Sequence, residues 1–561
     1  MNLWSSPLTQ LITTTLLKNL LKMKTKVPYF LTAFLLMLSG FTVNAQAPTL
    51  GTAANFVVFS SNGSVTCNVT NSLSTHLTGN VGTNTSGGTS TGFGNVNGVM
   101  QDNNLVSQLA SADLLIAYNQ LNALIPNYFP SALLGNGTSL NAGVYFVNSE
   151  AVLNGNLILN GQGDPNALFV FQIQGAFSTN ALSEIILING TKACNVFWKV
   201  EGLVDMSTGT KMKGTMIANN AAILMDIDST LEGRLLSTTG AVTINGINAQ
   251  LPLGCGSPIL TGPVAPDLGT VVCYALFSGI DSVTNTGITN LTGDVGTNTG
   301  LTTGFNSLNV EGTIHLIPDT STAQCAADLL NVRTYLNALP KDIELLYPAQ
   351  FGNNLVLTPH TYLLNGGSVL TNSLYLDAQN NSDAVFVIKI FGALSTSTYA
   401  KVLLLNGAQA KNIYWIINGA IQISDYSEFK GTIIANNGAV NLSTGTTVQG
   451  RVLTTNGALT ASAVTVTMTP GCELLSTGTI ESDDRAILVY PNPFTNSLTI
   501  QINDNAFNGE FSLYDMLGKL LIQKKITQNT SVIDVNVLPG MYFYRFVTDT
   551  GILKTGKLIS K

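Results

Sequence analysis

The stretch GTIIANNGAVNLSTGTTVQGRVLTTNGALTASAVTV, Gly431 to Val466, alternates small apolar residues with Thr, Ser and Asn and is broken by Gly at short intervals. GTIIANN at Gly431 to Asn437 is answered by GRVLTTN at Gly450 to Asn456. A helical repeat with the step from Gly431 to Gly450 would show an apolar face at i, i+3 and i+4, and this stretch does not. Short β-branched runs between Gly-containing turns predict successive coils of a β-solenoid. The block has an earlier copy, GTMIANNAAILMDIDSTLEGRLLSTTGAVTING from Gly214 to Gly246, in which Gly214 answers Gly431. The chain is built on a duplication.

Outside this block, composition narrows the class. A chain of 561 residues exceeds one ordinary core and predicts two or three domains. Charged residues make up 10%, against roughly 25% in an average soluble protein. No apolar run long enough to span a bilayer follows the start, and β-branched runs recur throughout, so neither a membrane bundle nor a disordered chain fits. A β-rich extracellular protein with a neutral Thr/Asn/Ser surface remains. The net charge of −7 gives no footprint for nucleic acid.

The start reads as a targeting signal. Met23-Lys24-Thr25-Lys26 is a basic segment, Tyr29 to Phe41 is apolar, and Val43-Asn44-Ala45 precedes a cleavage point at Gln46. Residues 1–22 read as an upstream misassigned start and 23–45 as a signal peptide. Six cysteines, Cys67, Cys194, Cys255, Cys273, Cys325 and Cys472, are too widely spaced for a zinc knuckle or redox motif. They predict structural disulfides, with Cys273–Cys325 as the favoured local pair and Cys67 free or joined to Cys194.

The two copies run in parallel. AANFVVFSSNGSV (Ala53 to Val65) matches VVCYALFSGIDSV (Val271 to Val283), and LTGNVGTNT (Leu77 to Thr85) matches LTGDVGTNT (Leu291 to Thr299). The period then changes. Asn104 to Leu124 sets Leu105, Leu109, Ala112, Leu115 and Ile116 on one helical face, and Ala323 to Leu339 is its partner. That stripe is expected to dock on a strand face, with Pro126 and Pro340 ending the helices. The segments that follow, to about Leu140 and Leu357, are expected to cap one end of each solenoid. Strands resume, and Phe197, Trp198, Tyr414 and Trp415 read as core or helix-facing residues, with an aromatic carbohydrate platform as the functional alternative. PILTGPVAP, Pro258 to Pro266, predicts a semi-rigid link between copies.

Catalytic chemistry has little to build on. The three histidines, His76, His315 and His360, are not repeated between copies. Asp205, Asp226 and Asp228 are the densest acidic group, and the second copy has Gln422, Ser443 and Gly445 there, so they read as turn or surface carboxylates. Threonine on strands does repeat. Coils stack about 4.8 Å apart, so an outward Thr in each coil forms a straight row of methyls and hydroxyls. Such a row suits the ordering of water. The plainer explanation is that Thr simply favours strands.

Two resemblances sharpen this. YPNPF, LYDMLGK, LPGMYFYRF and the terminal KTGKLISK resemble the type A sorting domain of the Bacteroidetes type IX secretion system, placed at 484–561. This implies a Bacteroidetes origin, engagement of that secretion machinery and a secreted or cell-surface protein. LTGNVG and LTGDVG, the TGF turn, the ADLL helix, VFWKV, GTMIANN with GTIIANN, and the GRLL and GRVL coils are similar to the widespread microbial ice-binding domain. The fold implied is mostly β: two tandem discontinuous right-handed triangular β-solenoids, 46–256 and 268–473, joined by 257–267. Each would have one long α-helix packed alongside, and a small C-terminal β-sandwich would follow. The implied partner is an ice surface, bound by a monomer without a cofactor, metal or catalytic step.

The family's Thr-Gly/Ala-x-Thr/Asn pattern falls on Thr444, Thr446 and Thr447, on Thr299 and Thr302, and on Thr303 and Asn306, with Thr455, Thr208 and Thr210 as further candidates. Asp226 and Asp228 interrupt the first copy, so the second is expected to bind more strongly. A secreted adhesin or polysaccharide-binding solenoid, contacting its ligand through Trp and Tyr, is the competing reading.

Overall fold

In the computed structural model, residues 46–254, 260–468, 487–502, 509–548 and 553–561 are described. The signal segment, Cys255 and Cys472 lie outside them. The step from Gly431 to Gly450 is one coil: the two glycines pair in parallel register, as Gly214 does with Gly233. These glycines let an eight-residue strand turn a corner. A Cβ on Gly450 (φ +148°) would stand 1.9 Å from the Gly431 carbonyl oxygen, which no side chain tolerates.

Three parallel ladders make three faces of each solenoid. In the first copy one ladder runs through Gly143–Val147, Phe169–Ile173 and Val196–Val200 into the second halves of Lys211–Ala218 and Thr230–Ser237. Phe56–Ser60 and Asn80–Thr83 complete it. The chain therefore leaves its first strands, builds the rest of the stack, and returns to pair Val58 with Leu235. That return makes the solenoid discontinuous. Inside, Trp198 stacks on Phe171 at 4.0 Å and its Nε1 donates to the Lys213 carbonyl; Trp415 donates likewise to Lys430. Phe197 and Tyr414 face the helices, so all four aromatics belong to the packing and none is a surface platform.

Two helices, α1 (Leu105–Asn122) and α2 (Thr320–Ala338), each begin with a capping box, at Asn104/Ser107 and Asp319/Thr322. Each lies along one solenoid face. The face of α1 that docks differs from the expected one. Ala110, Leu114, Ala117 and Leu121 pack against Phe56, Phe59, Val170 and Phe197, while Leu105, Leu109, Leu115 and Ile116 are about half exposed or more. The bulk is already supplied by aromatics on the sheet, so close approach selects alanine on the helix. The segments after the helices also differ from a simple cap: Leu133–Gly135 and Thr138–Asn141 are strands that extend two ladders as a terminal coil.

The cysteine pairing is corrected as well. Cys194 and Cys273 each take part in a disulfide, while Cys325 is a free thiol, which overturns the Cys273–Cys325 pair; Cys67 is free, one of its two expected states. Cys325 is an inward residue of α2 in the helix–sheet seam, against which Cys273 also packs. Burial pushes both thiols up, away from reactivity.

By contact density the two solenoids form one compact unit and the C-terminal residues a second. Asn97 bridges the copies, donating to Thr358 Oγ1 at 3.0 Å and accepting from the Tyr362 hydroxyl at 2.7 Å. Asn95 exchanges two bonds with the Tyr347 backbone. The link docks on the second copy through Thr261 O, which accepts from Val385 N. In the C-terminal unit, a three-stranded and a four-stranded antiparallel sheet share a core of Leu498, Ile500, Phe511, Leu513 and Phe546.

Candidate functional site

Each solenoid has one face under its helix. A second face, carrying His76, Asn248 and Gln250 in the first copy and Val356 and Tyr375 in the other, borders a groove of about 720 Å³ between the copies. The third face is open. Its strands are short, with the pattern inward–outward–inward, so one residue per coil points out. Register aligns these residues into a single column.

In the second copy that column reads Val369, Ser395, Gln422, Asn441, Thr460, Thr284 and Thr303. Beside it runs a row of small residues, Ala393, Ala420, Ala439, Ala458 and Ser282, tied coil to coil by backbone hydrogen bonds. On the other side Ser443, Ser462 and Thr286 follow. Side-chain bonds run along the surface, from Asn441 Nδ2 to Gln422 Oε1 (2.8 Å), from Gln422 Nε2 to Ser443 Oγ (2.9 Å) and from Thr286 Oγ1 to Ser462 Oγ (3.1 Å). These bonds hold the polar groups in fixed positions. None of these residues is charged.

The first copy carries the same column as Val152, Ser178, Asp205, Leu224, Thr243, Thr66 and Thr91. Both columns end in three adjacent threonines, and Thr66 Oγ1 lies 3.2 Å from Thr243 Oγ1. The centre differs. Asp205 and Leu224 replace Gln422 and Asn441, and Asp226 replaces Ser443. Bonds from the Ile227 backbone, Asn245 and Thr208 hold the Asp226 carboxyl below the usual range, so it stays ionised.

The sequence candidates are not brought together. Only Thr303 stands in an open-face column. Thr299 and Thr444 are exposed at the coil corners on either side of that face, and Thr447 is exposed on another face, paired with Glu428 and Thr465. Asn306 caps the short 3-10 helix Ser307–Asn309 through Leu308 N. Thr210, Thr302, Thr446 and Thr455 are buried and make no surface. Thr446 Oγ1 donates to the Ser424 carbonyl, and Thr210 Oγ1 to Ser207. Thr208 is half-buried and committed to Asp226. The Thr-Gly-Thr-Thr run is a coil corner, where alternation breaks and neighbours point in unrelated directions.

Thr460 and Thr284, which do line the face, were missed. They lie near opposite ends of their copy and meet only because the solenoid closes on its own start. The available signal was their recurrence: Thr243 holds in the first copy the place that Thr460 holds in the second, and Thr66 answers Thr284 to within one position.

Comparison with known proteins places both solenoids and the C-terminal unit in known families. Residues 64–249 and 278–467 match the family model described as ice-binding-like, and 488–561 match the secretion system C-terminal sorting domain. An ice-binding protein of Nostoc sp. is 38% identical over 215 residues, covering 37% of this chain and 76% of that protein. Ice-binding protein K1-A of Typhula ishikariensis is 29% identical, covering 33% and 84%. The crystal structure of an ice-binding protein from an Antarctic Flavobacteriaceae bacterium superposes with a TM-score of 0.75 at 59% identity, covering 76% of this chain and all of that one. On these matches, which span both solenoids, the chain belongs to the ice-binding-like family.

Proposed function

We propose that the protein binds ice crystals through the open faces of its solenoids, and that the second copy supplies the stronger face. The observation that carries this is the uncharged in-register column from Val369 to Thr303, flanked by small residues and left open while the other two faces are covered or turned toward the partner copy. Threonine presents a methyl and a hydroxyl at each step of about 4.8 Å, so water can pack on the methyls and be anchored by the hydroxyls. An ionised carboxylate keeps its own hydration shell, and stripping it is costly, so Asp205 and Asp226 oppose contact in the first copy. Adhesion to ice, thermal hysteresis and inhibition of recrystallisation all follow from such attachment, and none needs a chemical step.

The sorting-domain match supports export to the cell surface or medium; a type IX system of a Bacteroidetes bacterium and action as a monomer complete the reading. Tandem faces raise retention only if both engage together. The test is thermal hysteresis of the full chain with Thr460→Tyr and Thr284→Tyr, which add bulk to the open face outside the core. Loss of hysteresis with an unchanged melting temperature is expected. Unchanged hysteresis would mean that ice meets a different face.

A further inference from the structure

One corner of the second solenoid carries side chains that ice attachment leaves unused. After the open face, successive coils turn through residues in the left-handed region: Leu182 (φ 60°), Gly209 (70°) and Asp228 (60°) in the first copy, Tyr399 (59°), Tyr426 (57°) and Gly445 (72°) in the second. Gly adopts that conformation freely, and a bulky aromatic there is an outlier that the scaffold must sustain. The second copy sustains two. Tyr399 and Tyr426 are 63% and 51% exposed, with rings stacked at 5.2 Å and 11°.

The stack has an order. Tyr426 lies over Gly445, where a Cβ would come within 2.4 Å of its ring. Tyr399 lies on Tyr426. One side of the Tyr399 ring is thereby covered, so its high exposure means that the opposite side is open. The neighbouring coil turns through Asn372, whose carbonyl accepts from Lys401 N and whose Nδ2 donates to Asn353 Oδ1 at 3.0 Å, so two linked amides follow in the next coils of the stack. Asp425 adjoins the stack and is exposed, which disfavours anionic ligands.

We propose that this corner is a carbohydrate subsite for a neutral polysaccharide. The open face of Tyr399 takes the apolar C–H face of a pyranose, and the amides of Asn372 and Asn353 take its hydroxyls. A sugar ring with equatorial hydroxyls is flat and apolar on its faces and hydrogen-bonding at its rim, which matches a flat ring followed by amides in the next coils. The subsite stands at the edge of the open face, so a matrix polysaccharide held there would tether the protein and leave that face free.

Affinity electrophoresis of the full chain in gels with and without hydroxyethylcellulose, a neutral soluble glucan, tests this. The polymer should retard the chain. Tyr399→Leu and Tyr426→Gly, which install the residues the first copy carries at these corners, should each weaken retardation about tenfold, with melting temperature and thermal hysteresis unchanged. Equal migration with and without polymer would overturn the proposal, as would undiminished retardation of both variants. A variant that lost hysteresis while the polymer had no effect would also overturn it, by assigning the tyrosines to the ice-contact face.

Discussion

Across the two open faces, the same column positions hold Asp205 and Leu224 in one solenoid and Gln422 and Asn441 in the other. Inside, the copies exchange one apolar side chain for another, as Phe171 for Ile388 and Met212 for Phe429, and keep the bonds that hold the scaffold. Trp198 and Trp415 make the same bond to a lysine carbonyl, and Arg234 and Arg451 each clamp the short 3-10 segment at the start of their copy, through Ala54 O and Val272 O. Burial lowers both guanidinium groups to about 10. Inward residues answer to packing and cannot drift independently. Outward residues answer only to what they touch, and on the open face the changes that alter chemical character lie together at the centre of the column.

The largest expected effect comes from blocking each Thr triplet separately. Thr460→Tyr with Thr284→Tyr should cut thermal hysteresis to about a third or less, while Thr243→Tyr with Thr66→Tyr should cost far less. Equal losses would erase the distinction between copies. Next, converting the first face toward the second by Asp205→Gln, Leu224→Asn and Asp226→Ser should raise hysteresis, by about twofold if both faces can then engage together. No gain would show that charge is not what separates them.

A third comparison concerns the helix ends. Lys389 Nζ donates to the Asn337 and Leu339 carbonyls at the end of α2 (3.0 and 2.7 Å), where the first copy uses the Gln172 amide on Leu121 and Leu124. Lys389→Met should cost about 2–3 kcal/mol of stability, and Lys389→Gln should restore much of it, read by denaturant unfolding.

The smallest effect is a pH dependence confined to the second copy. His315 is held by Asp294 and Asp319 near the start of α2, beside the Tyr274 hydroxyl, which bonds Ser321; the first copy has Gln101 in its place. The Asp294 carboxylate, 3.9 Å away, and the hydrogen bond to Asp319 raise the imidazole above its usual value, and Asp319 is lowered, by the Thr322 backbone N–H first and by His315 after it. A raised folded value means that the stabilisation is complete below the unfolded value near 6.5 and fades as pH rises through the folded one. Melting temperature measured from pH 6 to 9 should fall slightly for the native chain, and this slope should flatten in His315→Gln.

Much of the fold was legible because it is written in local periods. The step from Gly431 to Gly450 is a coil, the offset from Gly214 to Gly431 is a domain, and the helical segments stand out against strands. The face of α1 was misread because an apolar stripe is normally the buried one, and here Phe56, Phe59 and Phe197 fill the seam and leave room for Ala110 and Ala117. The open face, the proposed contact surface, was harder. A Thr-rich run such as Thr444 to Thr447 announces itself in sequence yet folds as a corner, whereas Thr284 and Thr460 become neighbours only through a pairing that skips most of the domain. No window along the chain contains it.

That pairing also fixes when the surface comes into being. Thr66 must meet Thr243, and Thr284 must meet Thr460, so each row is finished only after the last coil of its copy has found the first strands. Contacts of such sequence separation form late, since loop closure has to precede them. A chain still emerging, or threaded unfolded through an export channel, carries every threonine of the row but no row. On the proposed ice-binding role, the contact surface is complete only when the domain is.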